Sequence, residues 1–269
     1  MANIIGTKAI QVFDSRGIPT ISCKVFLDDG SYGVAMVPSG ASTGSKEALE
    51  LRDGTKKYHG KGVQNAVQNI NDILGALIIG KDANNQEEID EILISSDGTS
   101  DKSRYGANAI LAISLAVSHS ASVGNKIPLH DHFSNLYENI VGEKHDQNIP
   151  MPMLNILNGG EHANNNIDIQ EFMIIPSQAK SFRQAMQWST EIYANLKNII
   201  EKSGLSTSVG DEGGFAPDLK NNEEAIKIII DAIIESGLEP GKDVNIALDC
   251  AASEFFDGSS YVLKGENKK

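Results

Sequence analysis

Apolar positions change their spacing along this chain, and the changes mark its parts. Residues 4–13, 20–27 and 32–37 are rich in β-branched and aromatic residues, with turn residues between them, including DDG at 28–30. They predict three strands joined as hairpins. From Val63 the spacing becomes helical: Val63, Ala66, Val67, Ile70, Ile73, Leu74 and Leu77 fall on one face. A shorter helix is expected around Ile89, Ile92 and Leu93. Another is expected over 107–123, where small apolar residues surround the axis and imply burial. A β-meander followed by helices is an α+β pattern.

The polar stretch YENIVGEKHDQN at 137–148 predicts a domain boundary, giving parts 1–136 and 137–269. Beyond it strands and helices alternate. Strands are expected at 153–157, 169–175 and 244–248. Helices are expected at 181–203, with Ser181 as N-cap and Gly204 just past the end, and at 223–236, closed by Gly237. Such alternation suggests a β/α barrel or a parallel sheet. Residues 147–269 are too few for a closed (β/α)₈ barrel, which takes about 250, so an incomplete barrel is expected.

Composition narrows the function classes. The net charge of −13 disfavours a nucleic-acid or anionic-membrane surface and is compatible with divalent cations if carboxylates converge. Cys23 and Cys250 match no metal spacing and read as reduced thiols. The opening MANIIGTKAIQVFDSRG has no apolar core behind a basic start, and no apolar run approaches a membrane span, so a reducing cytoplasm is expected.

Candidate chemistry sits at strand ends. PSGASTG at 38–44 follows a strand, but its glycine spacing and the order Ser45-Lys46 exclude a Walker A loop. It remains a loop able to offer Ser42 and backbone groups to a ligand. LNGGEHA at 157–163 presents Glu161 and His162 at a Gly-Gly corner. In IQEFMII at 169–175, Glu171 shares a strand face with Ile169 and Met173, an expensive position for a carboxylate without a partner. SVGDEGGFAP at 208–217 places Asp211 and Glu212 side by side between glycines. Asp249 closes the apolar run VNIAL, where a hard cation could use its oxygens.

These motifs, together with FDSRG at 13–17 and LDCAASEFF at 248–256, resemble enolase motifs of the bacterial branch, in the family's order. The resemblance implies an N-terminal α+β capping domain followed by an enolase-like, TIM-type β/α barrel whose early strands include an antiparallel pair. It implies Mg²⁺-dependent, reversible dehydration of 2-phosphoglycerate to phosphoenolpyruvate, with two Mg²⁺ sites in the intact enzyme, and a homodimer or higher homo-oligomer, with the Arg16 region at the family's dimer interface. By the same resemblance Glu212 donates the proton to the leaving hydroxyl and Glu171 is its acid/base partner. His162 and Gln170 contact substrate, Asp249 holds the tighter Mg²⁺, and Ser42 closes over the substrate and binds the second Mg²⁺. Ile18 stands where the family usually has Asn. The family's sequence continues past the point reached by Lys269, with two further Mg²⁺ carboxylates, the base lysine and substrate-gripping residues. The 269-residue chain alone is therefore expected to be inactive. The alternatives are a short non-catalytic paralogue that binds or scaffolds, and a superfamily enzyme acting on acid sugars.

Overall fold

The computed structural model describes residues 2–40, 43–144 and 146–269. The chain divides into two compact units. The first runs to Gln147, apart from the loop at 41–45, and the second covers Asn148–Lys269.

In the first unit β1 (Ile4–Phe13), β2 (Pro19–Leu27) and β3 (Tyr32–Met36) form an antiparallel sheet in the order β1-β2-β3. The β1–β2 turn is built by Asp14, whose Oδ1 accepts the N–H groups of Arg16 at 2.8 Å and Ile18 at 2.9 Å. These bonds, the one from Ile18 first, hold the Asp14 carboxyl below its usual range. Residue 18 enters this turn through its backbone N–H, which Ile supplies as Asn would. Ile21, Cys23 and Val25 point from β2 into the core, and burial pushes the Cys23 thiol up to about 12.

The helical run from residue 64 is not one regular helix. α1 (Gln64–Asn69) passes through a wider π-type turn at Ile70–Leu74 into α2 (Gly75–Leu77). Periodicity alone misses this because the apolar residues keep their face. The wide turn presents Asn71, which accepts from the Ala9 N–H at 2.8 Å and donates to the Ala9 carbonyl at 3.1 Å. α3 (Gln86–Asp97) is capped by Asn85. α4 (Ala107–Gly124) is long and apolar enough to cross a membrane by length and composition, against the expectation above, but most of it is packed inside this unit. It lies close to β3: a Cβ on Gly33 would stand 2.2 Å from the Ser120 nitrogen. α5 (Leu129–Val141) was not foreseen; it carries the chain across the expected boundary at 136. Its apolar positions are shared with a polar face, so the pattern over 129–136 predicts no element and the polar stretch from 137 predicts only a boundary.

In the second unit β4 (Leu154–Asn158), β5 (Glu171–Ile175) and, after α6 (Phe182–Lys202) and α7 (Asn222–Glu235), β6 (Asn245–Asp249) form a sheet in the order β4-β5-β6. Both pairings are antiparallel, so this part is not a parallel sheet. Each of the two helices between β5 and β6 reverses the chain direction, so β6 returns antiparallel to β5, and the β4–β5 pair is the antiparallel pair expected above. There is no closed barrel among the described residues. Ser181 caps α6 through Gln184 N–H, and Gly204 and Gly237 adopt positive φ past α6 and α7, as expected. Ile192, Leu196 and Ile200 of α6, with Ile229 and Ile233 of α7, cover Phe172 and Ile174 of β5.

Candidate active site

Register sets out the site. Glu171, the first residue of β5, pairs with Asn158 on β4 and with Asp249 on β6. The three residues thus form a row across one end of the sheet. Directly opposed residues share a face, and two acids placed this way destabilise each other. Folding alone gains nothing from the Glu171–Asp249 pair.

Asn158, fully buried, organises the surrounding loops. Its Oδ1 accepts the Gly214 N–H at 3.0 Å, and its Nδ2 donates to the Gln170 carbonyl at 3.3 Å. The segment after β4 folds back through Gly159 N–H to Gln170 O at 3.1 Å and Gly160 N–H to Ile167 O at 2.7 Å. This makes a single helical turn at Gly160–His162. Gly159 is required by crowding, since a Cβ there would lie 2.5 Å from the Ile169 carbonyl oxygen.

The loop bearing Glu212 is docked on the same strand end. Asn158 N–H donates to Phe215 O at 2.9 Å, and Phe215 N–H to Ile156 O at 3.0 Å. Asp211 N–H donates to the His162 carbonyl at 3.1 Å. Asp211 therefore contributes through its backbone, while its side chain is exposed. Gly210 and Gly214 let the loop sit this close: a Cβ on either would meet His162 O at 2.5 Å or Asn158 Oδ1 at 2.6 Å. Tyr193 of α6 braces the turn. Its hydroxyl donates to Gly213 O at 2.8 Å, and its ring stacks on Phe215 at 4.4 Å.

This docking brings His162, Glu171 and Glu212 together, with one donor atom of each within 4.8 Å of the others. Nδ1 of His162 stands 3.3 Å from Oε1 of Glu171. The approach has ion-pair distance without hydrogen-bond alignment, and Nδ1 is buried with no hydrogen-bond partner among the described residues. Burial first, then the charges of Glu212 and Asp249, push the Glu171 carboxyl up; His162 opposes them. A carboxyl so placed keeps its proton to higher pH than a free one.

The other expected residues sit around this core. Gln170 is buried with Oε1 unpartnered among the described residues, an acceptor left available to a ligand. Asp249 acts on Glu171 electrostatically but lies outside the three-residue cluster, and its Oδ1 accepts the Ala251 N–H at 3.0 Å. Its hard oxygens, beside those of Glu171, are of the kind Mg²⁺ takes. Ser42 lies outside the described residues. Sequence reasoning missed Asn158, Tyr193 and Asn155, whose side-chain Oδ1 and Nδ2 are both buried without partners among the described residues. The available signal was that Asn155 and Asn158 are the only polar residues in LNILN.

Residues 4–133 match the family described as enolase, N-terminal domain. Residues 146–269 match the enolase C-terminal TIM barrel domain. The two matches cover nearly the whole chain, in the order the family uses, and the chain belongs to the enolase family.

Proposed function

We propose that this chain carries the proton-donor side of an enolase centre, for the reversible dehydration of 2-phosphoglycerate to phosphoenolpyruvate. The observation that carries the proposal is Glu171. It is a carboxyl pushed up by burial and by two neighbouring acids, within reach of Glu212 and His162. Loss of hydroxide from an ene-diolate needs a general acid. A pair of close carboxyls that share a proton near neutrality provides one. In this reading Glu171 holds the proton and Glu212, on the exposed loop, delivers it to the leaving oxygen. His162 and Oε1 of Gln170, unpartnered among the described residues, orient the substrate.

Asp249, at the strand end beside Glu171, would hold Mg²⁺, which when bound supplies positive charge to stabilise the ene-diolate. Removal of the proton α to the substrate carboxylate is assigned in this superfamily to a Lys or His. Of the charged groups that act on Glu171 among the described residues, only His162 is basic, and this reading places it on the substrate rather than at the α-proton. The 269-residue chain is proposed to bind substrate without turning it over. A cytoplasmic location and a homodimeric intact enzyme belong to the same reading.

Titration calorimetry of the 269-residue chain with 2-phosphoglycerate and Mg²⁺ tests it. The expected result is Mg²⁺-dependent binding that His162→Asn and Gln170→Ala each weaken about tenfold, with no phosphoenolpyruvate formed. Preference for an acid sugar over 2-phosphoglycerate would move the assignment to another reaction of the superfamily. Mg²⁺-dependent phosphoenolpyruvate formation would sink the claim that the chain alone is inactive.

A further inference from the structure

The His162, Glu171 and Glu212 cluster differs in chemistry from a magnesium site. It offers one imidazole nitrogen and two carboxylates, whereas Mg²⁺ prefers an octahedron of hard oxygens, several of them water. We infer that these three side chains form a site for a borderline divalent metal, Zn²⁺ or Co²⁺, separate from the Mg²⁺ position at Asp249.

Three observations support the inference. First, the donor atoms converge: one from each residue lies within 4.8 Å of the other two. The 3.3 Å between His162 Nδ1 and Glu171 Oε1 matches the edge of a tetrahedron whose centre lies about 2.0 Å from both atoms, the usual zinc bond length to nitrogen or carboxylate oxygen, and the Glu212 donor lies within 4.8 Å of both. Second, His162 is 6% exposed, and Nδ1 faces the cluster with no hydrogen-bond partner among the described residues. A buried imidazole nitrogen left this way costs stability unless something satisfies it. Neighbouring carboxylates at the wrong angle do so poorly, and a metal ion does so well. Third, the donors are held. Glu171 begins a strand paired on both sides. The His162 carbonyl takes the Asp211 N–H, and the Tyr193 hydroxyl braces the Glu212 turn at Gly213. Glu212 is exposed, which leaves a fourth position open to water, as in zinc sites with three protein ligands.

The donor set predicts selectivity. Imidazole suits Zn²⁺, Co²⁺ and Ni²⁺, and affinity for a mixed nitrogen/oxygen site rises along the first-row series. Mg²⁺ gains little from Nδ1. Zn²⁺ should therefore bind in the presence of Mg²⁺ excess.

The test uses the 269-residue chain with Zn²⁺ and Co²⁺ alone, so it stands whether or not 2-phosphoglycerate is bound or turned over. Calorimetry should give one Zn²⁺ per chain that a hundredfold excess of Mg²⁺ does not displace. Co²⁺ should develop the intense visible absorption of a four-coordinate ion. His162→Asn should lower Zn²⁺ affinity by at least about tenfold to a hundredfold, the loss produced even by removing an outer partner of a ligand. Glu212→Gln, on the exposed loop, should weaken binding with the circular dichroism spectrum unchanged, which separates loss of a ligand from loss of the fold. Asp249→Asn, which removes a negative charge beside Glu171 but no ligand of the cluster, should lower Zn²⁺ affinity less than His162→Asn does. Absence of Zn²⁺ binding, equal competition by Mg²⁺, or binding undiminished in both His162→Asn and Glu212→Gln would overturn the inference.

Discussion

Glu171 shows what one residue's surroundings do to its chemistry. It lies opposite Asp249 in the sheet and near Glu212. Burial and these two charges raise its folded-state affinity for a proton above that of an ordinary glutamate at 4.5. Between 4.5 and the raised folded value, the folded chain binds more protons than the unfolded chain. Stability therefore falls as pH rises through that window and stays reduced above it. Glu171→Gln removes the effect. The variant should melt a few degrees above the parent at neutral pH, and the gap should close towards acid. Melting curves across that range check it; a gap independent of pH would argue that the carboxyl is not perturbed. A residue that weakens the fold where it sits and is nonetheless held rigidly is the signature expected of a functional group. This much was legible in the sequence, because Glu171 stood on an apolar strand face. Its pairing with Asp249 was not legible, since register depends on contacts far apart in the chain.

At the scale of elements, the strands and caps were readable from local pattern, while the antiparallel pairing came only through the family resemblance. Ser181, Gly204 and Gly237 marked helix ends by local chemistry that the structure repeats. Of the two architectures that alternation suggested, the parallel sheet is excluded, because alternation of strands and helices does not count the helices between neighbouring strands. The polar stretch 137–148 marks the end of the first unit, but its first residues complete α5, whose apolar positions are too few to announce a helix. The helix at 64–77 was readable in its apolar face but not in its wide turn, which depends on Asn71 reaching Ala9. Asn158 was passed over as an ordinary strand end, yet it ties the Glu212 loop to β4 and the Gln170 segment. Asn158→Ala would strand the Gly214 N–H in a buried place, while the Gln170 carbonyl keeps its bond from the Gly159 N–H. An unsatisfied buried group costs about 1–3 kcal/mol, so the variant should lose roughly 1–3 kcal/mol in urea unfolding. A loss under about 0.5 kcal/mol would show that the loop is held by its other bonds.

For the molecule as a whole, the six-motif resemblance and the two family matches agree, while the second unit contains a three-stranded sheet rather than a closed barrel. Its two outer strands differ. β4 is partly covered at its end by Phe215, which pairs beside Leu157. β6 is the last strand in the sheet order and exposes Leu248. An open strand edge with an exposed apolar side chain favours self-association. Light scattering of the 269-residue chain should show concentration-dependent association, and Leu248→Lys should reduce it; identical scattering would place the contact elsewhere. The same sheet order has a consequence for the site's own lifetime. β5 alone among these strands has a strand neighbour along both sides, so its amides can exchange with solvent only after one of two ladders has parted. In deuterium exchange, Phe172, Met173 and Ile174 should label far more slowly than the amides along the outer side of β6. Glu171 thus stands at the head of the segment that opens last, and its position should persist through local openings that fray the sheet around it.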